Sequence, residues 1–231
     1  MADIALVNHA GFHQPHREEL ERDALLVAPS LLGALLSVCL DGASVTVRIT
    51  EVEAYHGLGT GSTPDPGSHA RMGKTDRNAT MWGAPGHLYV YLSHGIHSCV
   101  NVACSPDGVA SGVLLRAGEV IEGVDAAAAR RTTSREFVDL ARGPGRLGKA
   151  VGLVPSLHNG IDALAGGAAQ AGALARLWVR DEPLVDVAAG PRVGVSGRAG
   201  TDAFPWRFWI PGDPTVSPFR AGRGAVGAAE A

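Results

Sequence analysis

The chain has 231 residues, 45% of them apolar and 19% charged, with a formal net charge of −3. This length supports one sizeable core, so a single domain over 1–231 is expected, with flexible termini over about 1–16 and 218–231. No stretch approaches the roughly 18 uncharged apolar residues that a membrane-spanning helix needs, and the charge balance excludes a globally basic nucleic-acid binder while leaving local clusters open.

The start, MADIALVNHAGF, has no basic region followed by an apolar core and a cleavage site, so a cytoplasmic setting is expected. Cys39, Cys99 and Cys104 form no CxxC pair and read as reduced core thiols. Asp23 to Leu40 is rich in Leu and Ala near a 3.6 period, with Pro29 suited to a first turn, and predicts a helix ending before Asp41-Gly42. Ser44 to Tyr55 alternates as a strand, placing Val45, Val47, Ile49, Glu51, Glu53 and Tyr55 on one face. The following stretch, HGLGTGSTPDPGSHARMGKTDRN, has no apolar period and reads as a long loop of the kind that carries function. Within it Arg71, Lys74 and Arg77 form a local basic patch, the arrangement that phosphate affinity requires.

His87 to Leu92 alternates again, with Tyr89 and Tyr91 on one side. Ser93-His94-Gly95 can turn, and Ile96 to Ala103 returns with His97, Cys99 and Asn101 on one face, so this is a hairpin with His94 near its tip. Gly112 to Ala117, which contains Leu114 and Arg116, leads into a helix from Glu122 to Arg131. A short helix follows around Gly145 to Val151. Strands are expected at Leu177–Arg180, Arg192–Val195 and Arg207–Ile210, with a frayed tail after Pro218.

Glu53 is the most informative residue. A carboxylate continuing an apolar strand face is costly unless it is used or paired, and a cation such as Arg116 would favour its charged form. From alternation alone, however, a strand emerging into solvent with both Glu51 and Glu53 wet is the better reading. Tyr55, His69 and Tyr91 could converge on a slot for a planar base, although ordinary packing explains them as well. His94, His97 and Cys99 raise a metal-dependent hydrolase as a rival, with Glu53 as base, but their spacing matches no established ligand pattern. GPGRLGKA lacks the GxxxxGK[ST] spacing of a nucleotide loop.

Taken in order, EVEAY, SHARMGKTDRN, MWGAPGHLYVYLSHGIHSCVN, GVLLRAGEVIEG, GPGRLGKAVG, RVGVSGRAG and PWRFW resemble the alkyladenine DNA glycosylase family, also called methylpurine or 3-methyladenine glycosylases, from about Leu31 to Ile210. The resemblance implies an α+β fold: a single compact domain with a curved antiparallel sheet and a protruding β-hairpin that inserts into DNA. It implies no metal and no cofactor, a monomer, and double-stranded DNA with damaged purines as partner. It makes Glu53 the base that activates water, supported by Arg116. Tyr55 would stack on one face of a flipped base, His69 and Tyr91 on the other, with Leu114 and Asn101 completing the pocket and Asn101 opposing normal guanine. His94 would be the wedge, where some relatives carry a tyrosine, and Arg71, Lys74 and Arg77 would contact DNA. No lysine matches a nucleophile position, so strand cleavage is not expected. A lesion-binding module without turnover is the second rival.

Overall fold

The computed structural model describes residues 10–57, 64–164 and 172–225. The HGLG…DRN loop is therefore described only outside 58–63, and the outermost termini lie outside the described residues.

The architecture is organised by one long strand. β3 (Ala43–His56) runs through an open antiparallel sheet of nine strands among the described residues. Its first half pairs with β2 (Leu35–Leu40), and its Glu51–Glu53 segment pairs instead with β9 (Arg207–Trp209). The opposite edge pairs along most of its length with β6 (Ser111–Glu122). Beyond β6 follow β5 (His97–Ala103) and β4 (Leu88–Ser93), while β7 (Ala173–Arg180) flanks β2, and β1 (Phe12–His13) pairs with β7. β8 (Ala188–Gly190) pairs with β9.

One face of the sheet is covered by helices. Leu20 of the short α1 (Arg17–Leu20), Ala24, Val27 and Ala28 of α2 (Ala24–Ser30), Ala127 of α3 (Val124–Arg130) and Leu147, Ala150 and Val151 of α4 (Pro144–Val151) share the main core with Val47, Ile49, Val52, Val102 and Leu115. Leu88 and Val90 point into that core, so Tyr89 and Tyr91 project from the other face. There Tyr89 joins a smaller cluster with Ala70, Met81 and Ala110.

Three local expectations are corrected. The helix from Asp23 stops at Ser30: Asp23 caps it through the Leu25 amide at 2.8 Å, Pro29 lies in its last turn, and Leu35–Leu40 is a strand. That run shows no polar alternation because β2 is hydrogen-bonded on both edges and buried on both faces, with its one polar side chain, Ser37, bonded to the Thr46 hydroxyl at 2.9 Å, a pattern that periodicity alone cannot distinguish from a buried helix. Arg192–Val195 is not a strand but a loop, in which Arg192 is fully buried. The segment after Pro218 is not frayed over its described part, since the Gly194 and Gly197 amides donate to the carbonyls of Arg220 and Arg223 at 2.8 and 3.0 Å.

The hairpin between β4 and β5 turns where expected. His94 and Gly95 occupy positive φ at 50° and 69°, and the Ile96 amide donates to the Ser93 carbonyl at 3.1 Å, the geometry a type I′ turn demands. The tip is exposed, including Leu92 and Ile96.

Candidate active site

The site begins with a register shift. Between the pairs Ile49–Gly118 and Glu51–Ala117, Thr50 has no opposite residue on β6; between Glu51–Ala117 and Val52–Leu115, Arg116 has none on β3. Extra residues of this kind re-aim the side chains beyond them. Val45, Val47 and Ile49 enter the main core before the shift, and Val52 and Ala54 after it. Glu51, Glu53 and Tyr55 consequently leave the face of Val45, Val47 and Ile49, correcting the single face that uninterrupted alternation predicts.

Solvent exposure, the better reading from alternation alone, is also overturned: both carboxylates are 0% exposed. Each is held by donors. Glu53 Oε1 accepts the Val193 amide at 2.7 Å and lies 3.3 Å from Arg116 Nη1, while Oε2 accepts the Tyr55 hydroxyl at 2.7 Å. Glu51 accepts from Arg116 Nε at 3.0 Å, Arg207 Nε at 2.6 Å and the Ser217 amide at 2.9 Å. Arg116 thus bridges the two acids. Burial opposes its charge, but Glu53 and Glu51 outweigh that effect and raise its pKa. The Tyr55 phenol is pushed well up, first by burial and then by the Glu53 charge, and remains a donor at neutral pH.

Above these acids lies a cleft of about 530 Å³ lined by Tyr55, His69, Tyr89, Tyr91, Asn101, Leu114 and Arg116 among others, with His94 and Arg71 at its border. The sheet register explains why they meet: Glu53 pairs with Leu114, Leu114 with Asn101, and Asn101 with Tyr89, so one row crosses four strands. Glu53 lies beneath the floor of this row. Tyr89 and Tyr91 stack with centroids 5.1 Å apart, and His69 meets Tyr91 edge-on at 4.7 Å. Burial, then Arg77 and Arg71, lower the His69 pKa, so the ring is neutral at pH 7. Tyr55 rests against the Arg192 guanidinium at 4.5 Å, which Asp65 fixes through two hydrogen bonds of 2.7 and 2.8 Å.

Arg77 reaches the hairpin, donating to the Leu92 carbonyl at 3.1 Å, while Arg71 donates to the Ser68 carbonyl and Lys74 is exposed. The three side chains of the metal rival separate. His94 and Cys99 border the cleft, whereas His97 borders a different cavity.

Reading the sequence misses Glu51 as a paired acid, the Arg192–Asp65 pair and Arg207. Isolated buried arginines leave no periodic signal. The Val193 amide is a backbone group that no side-chain pattern reveals. Alternation with Tyr91 does place Tyr89 on the correct face.

The family model described as Methylpurine-DNA glycosylase (MPG) matches residues 18–214. The chain is also similar to curated proteins that each carry the name "Putative 3-methyladenine DNA glycosylase". That of Nocardia farcinica is 48% identical over 213 residues, covering 92% of this chain and 94% of the relative. That of Streptomyces avermitilis is 48% identical over 205 residues, covering 89% and 91%. That of Leifsonia xyli subsp. xyli is 47% identical over 211 residues, covering 90% and 93%. Among the described residues no helix is long and apolar enough to cross a membrane.

Proposed function

The chain belongs to the methylpurine-DNA glycosylase family, and on that premise we propose that it excises alkylated or deaminated purines from double-stranded DNA, acting as a monomer without metal or cofactor. Its substrates are 3-methyladenine, 7-methylguanine, hypoxanthine and ethenoadenine, and its product is an abasic site. The damaged nucleotide leaves the stack and enters the aromatic cleft, where Tyr55 covers one face of the base and Tyr91 with His69 the other. Asn101 and Leu114 meet its edge, and the bulk and polarity of Asn101 disfavour the exocyclic amine of guanine. His94 at the hairpin tip fills the gap left in the duplex, with Arg71, Lys74 and Arg77 on phosphates.

The reaction follows from the carboxylate. Water attacks C1′ of the sugar as the bond from C1′ to the base nitrogen breaks, and the electron pair of that bond leaves with the base. The water proton passes to Glu53. The developing positive charge on the sugar is stabilised by the same carboxylate. A carboxylate offers about four acceptor sites; Val193 and Arg116 occupy Oε1 and Tyr55 occupies one site on Oε2, leaving Oε2 one site for water. Arg116, itself fixed by Glu51, supports the charge of Glu53.

The observation that carries this reading is the buried, three-donor carboxylate of Glu53 beneath an aromatic-walled cleft. Single-turnover assays on duplexes carrying each of the four lesions test it. Wild type is expected to release free base. Glu53→Gln, which preserves size and burial, is expected to abolish release while still binding lesion duplex. Release at the wild-type rate by that variant refutes Glu53 as the base, and tight binding without release by wild type makes the chain a lesion-binding module instead.

A further inference from the structure

Arg192 is a charged side chain that the molecule encloses completely, at 0% exposure. Its Nη1 donates to the Ala54 carbonyl at 3.1 Å and to Asp65 at 2.8 Å, and its Nη2 to Asp65 at 2.7 Å and to the Ala199 carbonyl at 3.2 Å. Nε has no protein partner among the described residues. Three rings surround the guanidinium: its Cζ lies 4.5 Å from the centre of Tyr55, 5.0 Å from that of Trp206 and 5.9 Å from that of Phe204. Asp65 also accepts the His56 and Gly67 amides at 3.1 and 2.9 Å, so the pair ties the end of β3 to two loops. A buried ion pair adds little net stability over apolar packing of the same volume, so its use lies in what it specifies.

Of these three rings Tyr55 alone lines the aromatic cleft, and neither Arg192 nor Asp65 reaches it. The guanidinium therefore stands behind the Tyr55 ring, which separates it from whatever occupies the cleft. Tyr55 is held at two points, its hydroxyl on Glu53 and its ring on Arg192. The next residue along the chain, Val193, gives its amide to Glu53. One side chain thus anchors the wall of the cleft and a donor to the carboxylate beneath it. Its charge has a separate effect. A cation on one face of a ring draws on the same electron density that would attract a second cation on the other, and a fixed positive charge favours a neighbour that gathers negative charge.

We propose that Arg192 is a positioning residue that sets lesion preference through Tyr55, biasing the cleft towards neutral damaged purines and against cationic ones. This proposal rests on the glycosylase reading. When the bond to C1′ breaks, its electron pair leaves with the base, so a neutral purine gathers negative charge and a cationic purine loses its positive charge. The guanidinium behind the ring assists the first departure, whereas it opposes the entry of the second base. Asp65 answers the charge of Arg192 at the Nη atoms and holds the group in register with the ring, so the bias is set by a fixed pair rather than by a mobile side chain.

The test is single-turnover excision by the full chain from two duplexes, one carrying 7-methylguanine, a cation, and one carrying neutral hypoxanthine. Wild type is compared with Arg192→Gln and with the double variant Arg192→Gln/Asp65→Asn. The double variant removes both buried charges together, and keeps the proposal testable should Arg192→Gln, which strands Asp65, fail to fold. In both variants the rate constant divided by the half-saturating enzyme concentration is expected to shift in favour of 7-methylguanine over hypoxanthine, on the order of 3- to 30-fold. Loss of a purely structural anchor slows both lesions alike. An equal fall on the two duplexes therefore overturns the proposal, as does a shift in favour of hypoxanthine. The two readings fail separately. Excision with an unchanged ratio removes the role of Arg192 alone. A wild type that releases neither base removes the glycosylase reading, and the affinities of the same duplexes, compared between the same variants, then read the bias in its place.

Discussion

At Tyr55 the ring and the hydroxyl can be separated by a single substitution. The ring borders the aromatic cleft, and the hydroxyl donates to Glu53 at 2.7 Å. Tyr55→Phe keeps the first and removes the second. A hydrogen bond to a charged group contributes about 1.5–3 kcal/mol, so the single-turnover rate constant should fall on the order of 10- to 100-fold, with affinity for lesion duplex changed far less. An unaltered rate would remove this bond from the catalytic arrangement. His69 carries a different prediction. Its lowered pKa leaves the ring neutral at pH 7, and acidification below the ordinary value of 6.5 adds a positive charge beside Arg77 and Arg71. Affinity for a cationic methylpurine should therefore drop as pH falls through the range below 6.5, and His69→Asn should level that profile. Equal pH dependence in the two proteins would detach the effect from His69.

Between elements, the surroundings of Glu51 and Glu53 are tied to a strap. Ser217 donates its amide to Glu51, and the chain beyond it runs back to the loop whose Val193 amide holds Glu53. Gly194 and Gly197 of that loop bond to Arg220 and Arg223, and a side chain at Gly222 would place its first carbon 2.0 Å from the Val195 carbonyl oxygen. Only glycine permits this approach. Gly222→Val, or truncation after Ser217, should displace the Val193 loop and slow excision on the order of 10- to 100-fold, with a melting temperature measured alongside to separate this effect from unfolding. Full excision rates in both variants would show the strap to be dispensable. This segment lies beyond the 18–214 match to the family and after the last of the ordered motifs, PWRFW, where the sequence reading expects a frayed tail. The legible parts have local causes: the strand from Ser44, the hairpin through its left-handed His94-Gly95 turn, and the helix near Arg131. The ordered motifs also pick out Glu53, Tyr55, His69, Tyr91, Asn101, Leu114 and Arg116, side chains that meet around one cleft and its floor. The illegible parts are non-local. The register shift at Thr50 and Arg116 depends on a partner strand more than 60 residues away, and the wholly buried stretch of β2 is a strand only because two neighbours cover its edges.

For the whole molecule, the buried histidines set how stability responds to acid. His158, in the short helix α5 (Pro155–His158), is 0% exposed; its Nδ1 lies 3.0 Å from the Val154 amide nitrogen, and its Nε2 has no protein partner among the described residues. Burial lowers its pKa, the Val154 backbone opposes that shift and Arg130 adds to it. The sign follows from proton counting: below 6.5 the unfolded chain protonates His158 while the folded chain does not, so stability declines as pH falls from 6.5 towards the lowered folded value. His69 acts in the same direction. His13 acts oppositely, because hydrogen bonds to Asp181 and Glu19 raise its pKa; its contribution is present below 6.5 and is lost as pH rises through the raised value. That ring is 39% exposed, so solvent screens the interaction and the buried residues should dominate. Asp162 and Asp213, with pKa values lowered from 3.8, release their stabilisation only in stronger acid. Urea unfolding at pH 7.5, 6.5 and 5.5 should therefore show a falling midpoint, with a limiting slope of about 1.4 kcal/mol per pH unit for each proton involved. In His158→Asn the decline should be shallower although the variant is less stable at pH 7.5. A midpoint that rises on acidification in the wild type would mean that the exposed His13 cluster, rather than the enclosed His158, governs the acid response of the fold.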